Sequence, residues 1–183
     1  SARVLLVILF VVLLAYFVSA PVGKFFEDCA DLSDWVIGGG TTNWAVGEGG
    51  DAGWCKASNV DTTSNMTSAN IDLSSTGIAN LTFDRSTAGL DAGEFLKVYV
   101  NSSTQAFTLI VTYTDNAATS GNFNLSQFIT IPDSDVFLRF ECRNGATNEK
   151  CLVDNINVTS YEIPPQQNLS ANISAQIPFN AQT

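Results

Sequence analysis

The chain has no histidine and a single methionine. Without an imidazole it lacks the commonest general base and metal ligand, which leaves most hydrolytic mechanisms without their usual groups. Positive charge is scarce as well: eight Lys and Arg stand against eighteen Asp and Glu, for a formal charge of −10. All the acids follow residue 26, where only Lys56, Arg85, Lys97, Arg139, Arg143 and Lys150 remain as cations. A chain so acidic is a poor partner for nucleic acid or for an anionic membrane surface. It suits solubility, cation binding or salty surroundings. A Gly-x-Ser-x-Gly elbow and a phosphate-cradling loop are missing too. Asp84 with Asp91 or Glu94 offers carboxylates near a turn, but nothing else joins them, so the chain reads as a non-enzyme.

What is present first is four cysteines, Cys29, Cys55, Cys142 and Cys151. Their spacing does not fit a CxxC zinc site, and an even number in an exported chain points to disulfides. Three pairings are open. The reading favours Cys29–Cys55 and Cys142–Cys151, the second closing a short loop across a hairpin; free thiols are the alternative. Seven Asn-x-Ser/Thr sequons follow, at Asn65, Asn80, Asn101, Asn124, Asn157, Asn168 and Asn172. Each is weak alone in a chain rich in Asn, Ser and Thr. Together they predict N-linked glycans over an extracellular surface.

Val4 to Ala20 contains no charged or amide side chain, and Arg3 and Lys24 flank it. As a helix it would rise about 26 Å, at the lower edge of a membrane span. Apolar on every side, it must be cleaved, lie in lipid or pack against copies of itself. A cleaved signal peptide ending at Val18-Ser19-Ala20 and an uncleaved anchor are two readings. The third is a retained assembly helix, with Val4, Leu5, Leu6, Ile8, Leu9, Phe10, Leu13, Leu14 and Phe17 as its packing residues. The chain starts at Ser1, not Met, which favours this third reading.

Over Val4 to about Phe26 the chain resembles archaeal type IV pilins, which join a retained apolar helix to a glycosylated β head. Leu5 stands where bacterial type IV pilins carry Glu. The apolar run is shorter than in most pilins, and Arg3 lies inside the mature helix. The resemblance implies a homo-oligomeric helical filament on the cell surface, in the membrane only before assembly.

Beyond Phe25 the pattern changes. Short apolar runs alternate with Gly, Asn, Asp, Ser and Thr clusters, which predicts an all-β sandwich. Expected strands are 34–37, 43–46, 53–57, 68–73, 79–85, 94–100, 106–113, 128–131, 136–142 and 151–160. Phe95–Val100 and Phe137–Phe140 show period-two alternation with one apolar face. No helical period appears after residue 26.

Several pieces, in order, resemble MAM-like and carbohydrate-binding-module-like jelly rolls: Phe26-Glu27-Asp28, Trp35, Trp44, Ile71–Ser74, Leu81–Asp84, Leu90–Val100, Asn124–Ser126, Val136–Phe140 and Val153–Val158. Such folds serve adhesion, sugar binding or scaffolding. The resemblance also implies a structural calcium shared between the first and last strands, with Glu27, Asp28 and Asp154 at the matching positions. Trp35, Trp44 and Trp54 are either a sugar-stacking face or core residues.

Pro164-Pro165 breaks the last strand, and residues 168–179 then alternate with period two. That pattern fits an edge or donor strand, or a glycosylated tail. The expected architecture is therefore mainly β: an N-terminal hydrophobic α-helix (1–26), a glycosylated jelly-roll-like β-sandwich (27–162) and a C-terminal tail (163–183). The leading functional expectation is a structural subunit of an extracellular, adhesive, pilus-like filament. The rival is an exported or anchored carbohydrate-binding or adhesion domain with a sugar or cell-surface ligand.

Overall fold

The computed structural model describes residues 20–39, 44–59, 62–146 and 148–162. Eleven strands run in chain order: β1 (Val22–Glu27), β2 (Trp35–Gly39), β3 (Ala45–Val46), β4 (Cys55–Ser58), β5 (Ser64–Ser68), β6 (Thr76–Ala88), β7 (Phe95–Ser102), β8 (Gln105–Tyr113), β9 (Ala118–Asn124), β10 (Phe137–Arg143) and β11 (Lys150–Glu162). Two single 3-10 turns, Gly49–Asp51 and Leu125–Gln127, punctuate them.

The strands form two antiparallel sheets. The six-stranded sheet runs β3-β4-β11-β6-β9, with β1 also on β11. The five-stranded sheet runs β2-β5-β10-β7-β8. β11 is the spine of the first: β6 lies along one side, while β4 and then β1 share the other. Alternation builds the core between the sheets. Leu96, Val98 and Val100 of β7 and Leu138, Phe140 and Cys142 of β10 are fully buried, and the residues between them face out. Trp35 meets Phe25 and Phe140 edge-on, and Phe140 meets Phe83, so one aromatic chain ties the two sheets together.

The disulfides are Cys29–Cys55 and Cys142–Cys151. The first pins the end of β1 to β4. The second links the inner faces of β10 and β11, one in each sheet.

The expected helix-plus-sandwich architecture is corrected here. Among the described residues there is no α-helix; every regular element but the two 3-10 turns is a strand. Val22–Phe26, expected at the end of the helical segment, pair with Asn157–Ser160 as strand β1. The cause is local: Phe25 packs inward on Trp35 while Phe26 stays 60% exposed, a strand alternation that no helix face would give. Val4, Leu5, Leu6, Ile8, Leu9, Phe10, Leu13, Leu14 and Phe17 lie outside the described residues, as does the expected tail strand with Asn168 and Asn172.

Other boundaries shift for physical reasons. The expected strand 68–73 is instead Ser64–Ser68, with Ile71 making only an isolated bridge to Val136. Residues 128–131 are loop, although Ile129 is buried. β9 was not expected at all: ATSGNFN is polar because its outer residues sit at a sheet edge in solvent.

Candidate functional site

The expected calcium ligands come first. Glu27 is buried, and both its oxygens are already used. Oε1 accepts the Cys29 amide at 2.7 Å and Oε2 accepts the Trp35 indole N–H at 3.0 Å. Burial, above all, raises its pKa, against the lowering pull of those two hydrogen bonds. Glu27 thereby clasps β1 to β2, across the two sheets. Asp28 caps the Ala30 amide. Asp154 stands opposite Asp84 in the β11–β6 register, and its oxygens accept the Asn155 backbone and side-chain N–H groups. Burial raises the Asp154 pKa first, and the charges of Asp84 and Asp28 add to it. Among the described residues no group of three or more Asp, Glu or Cys is placed to hold a metal ion. Of the carboxylates weighed for acid/base work, Asp84 accepts Ser120 and Asn155, and Glu94 accepts the Asp91 amide and closes that turn.

The tryptophans are not a sugar platform. Trp35 and Trp44 are core residues, and Trp54 is half-buried beside the first 3-10 turn. A hydroxyl-lined depression of about 350 Å³ is lined by Ser74, Ser103, Thr104, Thr130, Asp133 and Ser134. Its carboxylate is already committed to Ser103 and to the Asp135 amide.

The outer face of the five-stranded sheet is different. Antiparallel register brings Val36, Thr67, Arg139, Tyr99 and Leu109 into one row across all five strands. The next row is Gly38, Asn65, Glu141, Lys97 and Thr112, and Phe95 lies opposite Arg143 beyond it. At normal strand spacing these rows are about 19 Å wide. The Arg139 guanidinium lies 3.7 Å over the Phe107 ring, and its Nε donates to Thr67 Oγ1 at 3.0 Å. Lys97 lies 4.0 Å over Phe95. Tyr99 Oη donates to Glu141 Oε1 at 3.4 Å; burial, then the Glu141 charge, raises the phenol pKa. Arg139 and Lys97 are thus held over ring faces, with N–H donors left over for a ligand. This is a polar and aromatic platform on a rigid sheet, the arrangement that suits a hydroxyl-rich, ring-bearing molecule.

The sequence signal for this face was the outward phase of Lys97, Tyr99, Arg139 and Glu141. The missing information was which strands become neighbours.

The sequons divide between the faces. Asn80 and Asn124 are register partners on the outer face of the six-stranded sheet, with Asn157 close by on β11. Asn65 and Asn101 lie on the platform. Asn65 packs on the Gly38–Gly39 backbone, and the Asn101 carbonyl accepts the Phe137 amide.

No protein family and no curated protein matches the chain. Solved structures share the fold. The K3 cleaved adhesin domain of Lys-gingipain from Porphyromonas gingivalis is 13% identical, with a TM-score of 0.54 over 77% of this chain and 99% of that one. TmCBM61, solved with β-1,4-galactotriose, is 8% identical, with a TM-score of 0.52 over 71% and 90%. The CBM22-1 xylan-binding domain of Paenibacillus barcinonensis Xyn10C is 9% identical, with a TM-score of 0.51 over 79% and 98%. At such identities the likeness shows the fold alone: a carbohydrate-binding-module-like β-sandwich. Nothing in these comparisons supports a pilin, a filament or an archaeal pilus.

Proposed function

We propose that the chain is a non-catalytic carbohydrate-binding or adhesion domain of an extracellular or surface-exposed protein, binding glycan on the outer face of its five-stranded sheet. One observation carries this reading: Tyr99, Phe107, Arg139, Glu141 and Thr67 form a hydrogen-bonded aromatic platform on four neighbouring strands. Aromatic faces stack on the apolar faces of sugar rings, while the guanidinium, carboxylate and hydroxyls meet the ring hydroxyls. The structural neighbours, an adhesin domain and a carbohydrate-binding module, support the same reading. The disulfides fit an oxidising, extracellular compartment. A filament subunit, the leading expectation from the sequence, has no support among the described residues or the structural neighbours.

The test is binding of the chain to immobilised neutral polysaccharides, β-1,4-galactan and xylan, beside acidic ones, compared with Tyr99→Ala and Phe107→Ala. Losing the Tyr99 ring as a stacking surface should weaken binding by about tenfold, and losing Phe107, which holds the Arg139 guanidinium in place, should weaken it as well. Binding to none of the panel, or binding indifferent to both substitutions, rejects this face as the sugar site.

A further inference from the structure

Charge is distributed unevenly over the two sheets. The strands of the five-stranded sheet carry four charged side chains: Lys97, Arg139, Glu141 and Arg143. All four alternate outward onto the platform, so a chain of net charge −10 presents there three cations and one anion. The cations of the other sheet are neutralised. Lys24 meets Glu162 at 3.9 Å, Lys56 and Lys150 share Asp51, and Arg85 meets Asp115 at 2.9 Å. Among the described residues, Lys97, Arg139 and Arg143 have no carboxylate within ion-pair distance. Glu141 faces Lys97 across the ladder, yet it accepts its hydrogen bond from the Tyr99 hydroxyl.

Three cations without a carboxylate partner, on one face of so acidic a molecule, need another account. Positive charge here is not required for solubility, which the acids supply. It is not spent on internal ion pairs either. Two of the cations lie over ring faces, at 3.7 Å and 4.0 Å, which helps to hold them in place and leaves their remaining N–H donors available. A pre-positioned guanidinium beside aromatic rings suits a ring-bearing ligand with planar or tetrahedral anionic groups.

We propose that the ligand of this face is an anionic glycan, one carrying carboxylate or sulfate groups, gripped by Lys97, Arg139 and Arg143 with a sugar ring on Tyr99, while Phe95 and Phe107 hold two of the cations in place. The proposal rests on the glycan-binding reading above and names its substrate class. Lys97 and Arg143 flank Glu141 along and across the strands, so the anionic groups would fall to either side of that carboxylate. Asp31 and Asp34 before β2, Asp91 and Glu94 before β7, and Asp133 and Asp135 before β10 would repel a ligand bound out of register, which makes the basic strip a specificity device.

The experiment is titration calorimetry of the full chain with polygalacturonate, with the same polymer fully methyl-esterified, and with chondroitin sulfate; neutral galactan and xylan serve as controls. An acidic polymer should bind at least about tenfold more tightly than its neutral counterpart, and more weakly as salt rises. Arg143→Gln, at an exposed position, should weaken the acidic polymer by about threefold and reduce the salt dependence of its binding. Glu141→Gln has the opposite sign: removing the one anion should strengthen acidic binding by about threefold, a gain that misfolding cannot produce. Polygalacturonate and chondroitin sulfate separate carboxylate from sulfate preference. Equal binding of acid and ester, salt-independent binding, or binding of neutral polymers only would overturn this proposal while the glycan-binding reading stands. Binding of no polymer at all would overturn both.

Discussion

Gly121 shows how much one missing methyl group decides. It lies opposite Phe83 in the β9–β6 ladder, and a Cβ there would sit 2.5 Å from Phe83 Cζ. That ring cannot retreat easily, because Phe123 stacks beside it and Phe140 and Tyr113 meet it edge-on. Gly121→Ala is therefore expected to destabilise by about 1–3 kcal/mol, through overpacking. A urea-unfolding midpoint equal to that of the parent would mean that the Phe83 ring is free to move. Asp51 gives a pH-dependent counterpart. The Lys150 and Lys56 ammonium groups hydrogen-bond its carboxylate and hold its pKa below the ordinary 3.8. A carboxyl whose folded pKa is depressed contributes stability above its unfolded value and loses it as pH falls through the folded one. The parent should thus lose stability below the ordinary aspartate range, and Asp51→Asn should show less of that acid-side decline. Parallel denaturation curves for the two proteins from neutral to strongly acid pH would argue that the bridge carries no weight.

At the scale of elements, the disulfides differ in what they close. Cys29 and Cys55 are 26 residues apart, Cys142 and Cys151 only 9. On a chain-entropy account the longer loop is worth more, so removing the first pair should cost about 3.5 kcal/mol and the second about 2.5 kcal/mol. Denaturant unfolding of the two paired Cys→Ser variants checks the order. The strand pattern explains how much of this could be read beforehand. β7 and β10 were legible because each has one face in the core and one in water, so alternation is written into FLKVYVNS and FLRFECR. β9 was not, because an edge strand needs little apolar surface. β1 was not, because Val22–Glu27 follows the apolar run, and its register shift between Gly23 and Phe25 breaks the alternation. The candidate site was half legible: its residues have the right phase, but Tyr99 and Glu141 are 42 positions apart, and only the fold makes them neighbours. The sequons follow the same logic. Asn80, Asn124 and Asn157 lie on the face away from the platform, so glycopeptide mapping should find occupied sites among them. Asn65, wedged against Gly38 and Gly39, should be bare; a glycan found on Asn65 would block the platform and count against its role.

At the scale of the whole sandwich, the decisive contact is between its first and last described strands. β1, the first described strand, pairs with β11, the last, from Val22–Ser160 to Glu27–Ile156. Phe25 and Glu27 then reach across to Trp35 of the opposite sheet. β1 therefore closes the sandwich, and the folding unit begins before residue 27. A fragment of residues 20–162 should fold cooperatively, because it holds both of the described sheets and both disulfides. A fragment of residues 28–162 keeps both disulfides and ten of the eleven strands. It would expose the Ile156–Ser160 edge of β11, strip Trp35 of its acceptor and uncover the aromatic core. Losing one buried aromatic contact and one buried hydrogen bond should lower the midpoint by at least about 10 °C, with an open edge that invites aggregation. Thermal melts of the two fragments side by side decide it. If the shorter one melts with the longer, β1 is an ornament on a sandwich already closed, and the clasp from Glu27 to Trp35 holds nothing together.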